Sequence, residues 1–193
     1  MLITFTCTAG GNAVVNGLFF DPITPPPPPP PGATASFVGS DSNTEGNWIG
    51  LYGTQGYNVV GSGVLNPTFA TVTPAGQSLY GWSTPPLSAK QALEVPPSGA
   101  SRIAAVWYSS TSFTIDVDVA AGHSYNLELY LLDYDSRGRA ENISLTDTTT
   151  NTLLNSQHVS NFASGEYLTW TISGNVLITF TRTAGANAVL SGL

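Results

Sequence analysis

The sequence predicts an all-β fold in which antiparallel sheets pack as a two-sheet β-sandwich, and three observations carry this prediction. First, 20 glycines and 14 prolines among 193 residues interrupt the chain too often for long helices. Second, apolar and polar residues alternate with a period of two in several segments. Third, turn sequences such as Ser164-Gly165 and Ser173-Gly174 separate these segments at short intervals. A helical bundle is therefore excluded.

Four segments alternate most clearly, as strands with one packed and one wet face do. They are Ser112–Val119, Tyr125–Leu131, Tyr167–Ile172 and Val176–Thr181. Only Ser88–Glu94 is compatible with a helical turn. Such short, evenly spaced strands are typical of a sandwich or jelly roll. Weaker strands are predicted at Ala35–Val38, Gly46–Leu51, Tyr57–Val60, Phe69–Val72, Ile103–Tyr108, Glu141–Thr146 and Leu153–Val159.

Composition and charge restrict the partners. Charged residues make up only 9% of the chain, against about 25% in an average soluble domain. Five basic and twelve acidic residues give a net charge of −7, which offers no cationic field to nucleic acid. No stretch approaches the roughly 20 apolar residues that span a bilayer. We therefore expect neither nucleic-acid binding nor membrane insertion.

The chain contains a long-range repeat. Leu2–Leu18 and Leu177–Leu193 are identical at thirteen of seventeen positions. Their large separation indicates equivalent strand pairs of successive modules rather than neighbouring turns of a short solenoid. We therefore expect residues 1–22 to be the terminal strand segment of a preceding repeat.

Seven consecutive prolines, Pro25–Pro31, follow the first copy of the repeat. In a polyproline II helix they would rise about 3.1 Å each and form a semi-rigid spacer of about 22 Å. A ligand for a proline-binding domain is the alternative. The predicted organisation is a linker over residues 23–32 and a β-sandwich module over residues 33–193.

An isolated strand pair with the pattern Ile3, Phe5, Cys7 cannot bury its apolar side, so it must find a partner or stay mobile. Because it nearly duplicates Leu177–Leu193, it could compete for the same place in its own module or in another copy. Cys7 is the only cysteine, which excludes an internal disulfide and a zinc site built from several thiolates.

Four segments resemble modules repeated in large bacterial surface and secreted proteins, related to the galactose-binding-like and malectin-like sandwich domains. They are Phe37–Gly50, Arg102–Tyr108, Leu131–Arg139 and Asn187–Gly192. The resemblance covers nearly all of residues 33–193. It implies a jelly-roll fold, a non-catalytic role with sugar binding as the candidate activity, and an extracellular or cell-surface location. The first residues themselves lack the charged start of an export signal.

The densest charge cluster begins at Asp133. Asp133, Asp135 and Gly138 match positions one, three and six of the twelve-residue calcium loop. Position five is Arg137, however, and position twelve would be Ser144, so the bidentate carboxylate is missing. An EF-hand is therefore excluded.

Three interpretations of this cluster stay open. Asp133, Asp135 and Glu141 could hold calcium in an irregular site, and no other cofactor is expected. Pairs of aspartate and arginine could brace the loop. Arg137 or Arg139, with an aspartate, could donate and accept hydrogen bonds with sugar hydroxyls.

Aromatic residues carry the sugar-binding hypothesis, because a pyranose stacks its apolar C–H face on a flat ring. Trp48, Tyr52 and Trp82 lie among Gly, Ser and Asn and are expected to be exposed. Trp170 is in phase with Leu168 and is expected to be buried. The candidate ligand-binding residues are Trp48, Tyr52, Trp82, Asp133, Tyr134, Asp135, Arg137 and Arg139.

No catalytic constellation is predicted, and the chain is not expected to be an enzyme. Asp116 and Asp118 share one strand face about 6.6–7 Å apart, but any two wet positions of a strand have that spacing. His123 and His158 have no motif that places a nucleophilic serine beside them. A glycoside hydrolase is the third and weakest hypothesis.

The leading functional hypothesis is a non-catalytic carbohydrate-binding or adhesive module of a tandem-repeat bacterial surface or secreted protein. Its partner would be a glycan or a cell-surface polysaccharide. The alternative is a structural stalk or filament repeat that associates with other copies by strand exchange through residues 2–18 and 177–193.

Overall fold

The structure, a computed structural model, describes residues 2–19, 32–83 and 88–193. Within these ranges the chain forms fourteen β-strands and no helix, which confirms the all-β prediction. No helix of the described part is long and apolar enough to span a membrane. The predicted linker over residues 23–32 lies outside the described residues, apart from Gly32.

The strands are short and follow one another closely. In chain order they are β1 (Thr34–Asp41), β2 (Tyr57–Val59), β3 (Gly63–Leu65), β4 (Ala70–Ala75), β5 (Ser78–Ser83), β6 (Leu93–Glu94), β7 (Arg102–Ser109), β8 (Ser112–Val119), β9 (Tyr125–Leu131), β10 (Ala140–Asp147), β11 (Leu153–Ser160), β12 (Glu166–Ser173), β13 (Asn175–Ala184) and β14 (Ala188–Leu190).

The strands form four antiparallel sheets. A five-stranded sheet has the order β11-β10-β13-β8-β4, and a three-stranded sheet has the order β1-β12-β9. A third sheet has the order β14-β7-β5, with β6 also paired to β7, and β2 pairs with β3. All the pairings between these strands are antiparallel, as predicted.

The main hydrophobic core contains alternate residues of the five-stranded and three-stranded sheets. Phe113, Ile178 and Phe180 contribute from the first of these sheets, and Leu129 and Trp170 contribute from the second. Trp170 is fully buried, as predicted. The alternation of burial along β8 and β12 is therefore the alternation seen in the sequence.

A second core cluster lies under the loops that follow β1. Trp48, Val60 and Leu93 pack there with Tyr130 and Tyr167. Tyr130 belongs to β9 and Tyr167 to β12, so this cluster joins the three-stranded sheet to the long irregular segment between β1 and β2. These loops are packed parts of the module rather than exposed connections.

The module ends in a segment that is central to its pairing. β13 pairs with β10 on one side and with β8 on the other. After the turn, β14 pairs with β7, and all five residues from Ala188 to Gly192 are buried. We call Leu177–Leu193 the closing segment, and Leu2–Leu18 the first copy.

The last residues of the closing segment are bonded on two sides. Val60 donates its amide to the carbonyl of Ser191 at 3.0 Å, and Tyr130 donates to the carbonyl of Gly192 at 2.8 Å. Asn58 and Leu193 exchange two backbone hydrogen bonds, of 2.7 and 3.1 Å. The closing segment therefore links the five-stranded sheet, β7, β9 and the β2–β3 pair.

Two local predictions were wrong. Gly46–Leu51 forms turns rather than a strand, because Gly46 packs against the backbone at Ala92, where a Cβ would collide with the carbonyl oxygen. Ser88–Glu94 forms no helix: a turn closes through the amide of Ala92 and the carbonyl of Ala89 at 3.0 Å, and then β6 begins.

No strand is assigned in residues 2–19, where alternation predicts one. Every residue in this range is exposed, including Phe5 and Phe19. Alternation marks residues that could form a strand, but a strand also needs a neighbour to pair with, and the first copy has none within the described chain.

Candidate functional site

A cleft of about 330 Å³ lies at the sheet formed by β5, β7 and β14, beside the loop that follows β9. We call it the aromatic–arginine cleft. Aromatic rings, two arginines, a carboxylate and an amide all line it, so both apolar and polar groups face one space. Its lining residues are Tyr80, Trp82, Val106, Tyr108, Asp135, Arg137, Arg139, Ala186, Asn187 and Val189.

The aromatic wall is built by adjacent strands. Tyr80 and Trp82 lie on β5, and Tyr108 lies on the neighbouring β7. The pairing register shifts between Gly81 and Ser83, so Trp82 is the extra residue of a β-bulge. Bulges re-aim a side chain and strengthen the local twist, which places the indole beside the loop rather than along the sheet.

The rings meet edge to face. The Tyr80 ring is 5.8 Å from that of Trp82 at 88°, and 6.4 Å from that of Tyr108 at 86°. Tyr134 also packs on Trp82, with ring centroids 5.8 Å apart. Trp82 thus contacts two tyrosines, while Tyr80 is half-exposed at the cleft.

The loop from Asp133 to Arg139 is organised by a buried ion pair. Arg139 donates from Nη1 to carboxylate oxygens of both Asp133 and Asp135. Asp133 also accepts the backbone amides of Arg137 at 3.0 Å and of Arg139 at 3.1 Å. Side chains of Asp133 and Arg139 are almost fully buried, so the loop-bracing interpretation of this cluster describes what the structure contains.

Arg139 connects the loop to the aromatic wall. Its guanidinium carbon lies 5.2 Å from the centre of the Trp82 ring, within the range of a cation–π contact. Its Nη2 donates to Oδ1 of Asn187 at 3.5 Å, while its buried Nε has no hydrogen-bond partner among the described residues. Arg137, by contrast, is 70% exposed at the cleft and pairs with Asp135 at 3.4 Å.

The charges in the cleft keep their ordinary ionised forms. Burial raises the pKa of Asp135, but the hydrogen bond and the positive charge of Arg139 outweigh it and leave this pKa below its usual value. Burial lowers the pKa of Arg139, and its two aspartate partners reverse that effect. The loop therefore presents balanced charges near neutral pH.

Glu141 lies behind the cleft and is fully buried. Its Oε2 accepts the backbone amide of Val189 at 2.7 Å, which ties β10 to β14, and its Oε1 has no partner in the described chain. Burial raises the pKa of this carboxyl to about 8, although the Val189 amide and Arg139 oppose the effect. Glu141 is therefore mostly protonated at neutral pH.

The contacts of Asp133, Asp135 and Glu141 do not favour an irregular calcium site. The Arg139 guanidinium lies between the two aspartates, and Glu141 is bonded to β14. In the described ranges, no group of three or more His, Cys, Asp and Glu side chains is placed to hold a metal ion. A cation already satisfies the carboxylates that a calcium ion would need.

Comparison of the chain with protein-family models, with curated proteins and with solved structures found no match. The resemblance to galactose-binding-like and malectin-like domains therefore stays a prediction.

The predicted site residues divide between two places. Trp82, Asp135, Arg137 and Arg139 line the aromatic–arginine cleft, and Tyr134 packs behind Trp82. Asp133 supports the same loop from inside. The remaining two, Trp48 and Tyr52, line a different cavity of about 540 Å³ that shares no lining residue with the cleft.

The expected exposure of Trp48 was wrong. Its ring is 7% exposed and its Nε1 donates to the carbonyl of Glu94 at 2.8 Å. Tyr52 is only partly exposed: it packs on Tyr167 with ring centroids 4.5 Å apart and donates to Asp41 at 2.9 Å. Both rings pack the loop after β1 onto the second core cluster. The prediction was wrong because a neighbouring Gly or Ser does not by itself keep an aromatic side chain in solvent.

The larger cavity is lined by aromatic, apolar and polar residues together. Phe69 and Tyr125 stack within it at 3.6 Å, and Leu127 and Val119 of the main core reach it. Glu128 is its one lining carboxyl in the described residues, and burial raises the pKa of that group. Neither Asp116 nor Asp118 lines this cavity or the cleft.

Sequence reasoning missed Tyr80, Tyr108 and Asn187 as parts of one site. Tyr80 and Trp82 are two residues apart, which is the spacing of neighbours on one strand face. That signal was present in the sequence. Asn187 reaches the cleft only because β14 pairs with β7, and no local pattern predicts this pairing.

Proposed function

We propose that the module binds carbohydrate without transforming it, as a glycan-binding or adhesive domain with a jelly-roll-type sandwich. The aromatic–arginine cleft carries this proposal. It combines a half-exposed tyrosine beside a fixed indole with polar groups from Asp135, Arg137 and Asn187 at its rim. Apolar rings with a few convergent polar groups are the usual composition of a small-ligand site.

The chemistry of the cleft suits a sugar. A pyranose offers a C–H face to the half-exposed Tyr80 ring and hydroxyls at its edge. Arginine donates to hydroxyl oxygens, aspartate accepts from hydroxyl groups, and the asparagine amide does both. Because Arg137 and Arg139 are balanced by Asp133 and Asp135, we propose a neutral glycan rather than an anionic one.

The geometry also supports binding over hydrolysis. Glycoside hydrolysis needs one carboxyl group that is protonated and faces the sugar. Asp135 is the lining carboxyl of the cleft, and Arg139 holds its pKa below the usual value, so it stays ionised. Glu141 is protonated but points to the Val189 amide behind β14. The cleft residues are suited to hold a ligand in place.

The proposal is tested by affinity electrophoresis against neutral polysaccharides and by a glycan array. Tyr80→Ala removes the exposed stacking ring, and Trp82→Ala removes the ring that packs against it. We expect each variant to lower affinity about tenfold or more, the effect of about 1.4 kcal/mol. Arg137→Ala removes an exposed donor and should weaken binding less, because the exposed guanidinium stays largely solvated.

Tyr125→Ala is the matched control, since this aromatic residue lines only the larger cavity. It should leave binding unchanged. Retardation of the wild-type chain by none of the polysaccharides would contradict the proposal. Equal loss of binding in the Tyr80 and Tyr125 variants would also contradict the proposal, because the loss would then not be specific to the cleft.

A further inference from the structure

The first copy contains the same residue types that are buried in the closing segment. Ile3 and Phe5 correspond in the repeat to Ile178 and Phe180, both of which are fully buried in the main core. The ring of Phe180 stacks on Phe113 at 4.5 Å and 2°. A Phe5 side chain in that position would make the same contact.

The four differences between the two sequences are compatible with one binding position. Two of them, Cys7 for Arg182 and Gly11 for Ala186, fall at exposed positions of the closing segment. In the third, Val15 stands where the closing segment has the buried Leu190. Valine is one methylene smaller than leucine, a change that cores tolerate.

The fourth difference places an asparagine, Asn16, where the closing segment has Ser191. Ser191 is buried, and its Oγ has no hydrogen-bond partner among the described residues. The backbone of Ser191 makes the hydrogen bonds at this position: its carbonyl accepts from the Val60 amide, and its amide donates to the Tyr130 carbonyl. Backbone pairing of this kind is available to any residue except proline, so Asn16 preserves it.

In its own chain the first copy leaves this apolar surface in water. Leu2, Val14, Leu18 and Phe19 are more than half exposed. Its side-chain hydrogen bonds among the described residues run from the Cys7 thiol to the carbonyls of Ala9 and Gly10, within the segment itself. A segment whose sequence matches a central position of the fold is thus present without pairing strands in the described part of the chain.

We propose that the first copy is a donor segment for a second copy of this module. It fits the place between β8 and β10 when the closing segment of that second copy has left it. In an intact chain the closing segment holds its own place, because Gly174 alone separates β13 from β12 and the effective concentration is high. The spacer of about 22 Å that the sequence predicts between the donor and its own module would favour another copy as the acceptor.

The test uses the full-length chain with matched substitutions in the two copies. Phe180→Asp expels the closing segment from the core, Phe5→Asp disables only the first copy, and a third variant carries both. Phe5→Asp alone should be a folded monomer. Phe180→Asp should be a folded dimer in which first copies are exchanged, and the double variant should be a destabilised monomer.

We expect the thermal midpoint of Phe180→Asp to exceed that of the double variant by about 10 °C or more, because a buried aromatic position governs a large share of stability. Circular dichroism and light scattering measure these outcomes. Equal midpoints for the two variants would overturn the proposal. A folded Phe180→Asp monomer would also overturn it, by assigning the first copy to its own module.

A disulfide gives a second readout that does not depend on the midpoint. Cys7 would occupy the position of Arg182, whose amide donates to the carbonyl of Thr111 at 2.9 Å. Opposed residues of a hydrogen-bonded pair lie about 5.5 Å apart at Cα, within the range that a disulfide bridges. In the Phe180→Asp background, Thr111→Cys should therefore give a covalent dimer on mild oxidation. Persistence of that dimer after adding Phe5→Asp would contradict exchange.

Discussion

Glu141 is the residue whose chemistry departs most from its ordinary form. Its pKa is about 8 in the folded chain against 4.5 for a free glutamate, because it is fully buried with a single backbone donor. The folded state therefore binds its proton more tightly than the unfolded state does. Stability from this group is complete below about pH 4.5 and is lost as pH rises through about 8.

Glu141→Gln should remove this dependence while keeping an acceptor for the Val189 amide. We expect the urea midpoint of the wild-type chain to fall between pH 5 and pH 9 by clearly more than that of the variant. Asp118→Asn, a change at an exposed carboxyl on β8, is the control and should follow the wild type. A wild-type midpoint that rises over this range would disprove the assignment.

At the residue scale, the sequence predicted the burial of side chains within strands better than the burial of side chains within loops. Trp170 was predicted to be buried because its neighbours in phase are apolar, and it is. Trp48 was predicted to be exposed because its neighbours are small and polar, and it is not. A period of two reports burial only within a strand, whereas Trp48 lies in a turn-rich loop whose packing depends on Leu93 and Val60.

Among the elements, the loop from Asp133 to Arg139 is the one on which the candidate site depends. Arg139 neutralises Asp133 inside the protein and holds Trp82 from above. Arg139→Met would leave the Asp133 carboxylate buried without its cation. Removing one partner of a buried pair costs about 3–5 kcal/mol. We expect a loss of that order in the free energy of unfolding, measured by urea denaturation.

Arg137→Met is the control for this prediction. Arg137 is largely exposed, and its pair with Asp135 is at the surface, so the expected change is within about 0.5 kcal/mol. Equal losses in the two variants would show that the loop does not depend on the buried pair.

The elements themselves were largely predictable. Alternation located β8, β9, β12 and β13. It also predicted wet-face positions for Tyr130 and Tyr167, which was wrong, because both rings are buried in the second core cluster. β5 was missed, since Gly81 and the bulge at Trp82 interrupt its pattern. The site uses that missed strand, so the spacing of Tyr80 and Trp82 was the one sequence signal for its aromatic wall.

At the scale of the whole molecule, every residue of the first copy is exposed. Deleting residues 1–31 should therefore leave the thermal midpoint of the module within about 2 °C of the full chain, no more than the shift that about 1 kcal/mol produces in a domain of this size. It should also leave glycan binding unchanged, since the cleft is lined by residues 80–189. Scanning calorimetry and affinity electrophoresis check the two outcomes.

A lower midpoint in the deletion variant would contradict this expectation, because it would reveal stabilising contacts between the first copy and its own module. The repeat that defines the first copy was visible in the sequence. Which sheets its counterpart joins was not, since β13 and β14 pair with strands that are distant along the chain.

The position of Cys7 has a practical consequence. It is the only thiol of the chain, it is exposed, and it lies in the first copy rather than in the module. A maleimide dye or a thiol-reactive bead will therefore attach at one point, separated from the cleft by the proline run. All molecules immobilised in this way have the same orientation on the surface. Weak multivalent adhesion can therefore be measured without the mixed orientations that coupling through amines produces.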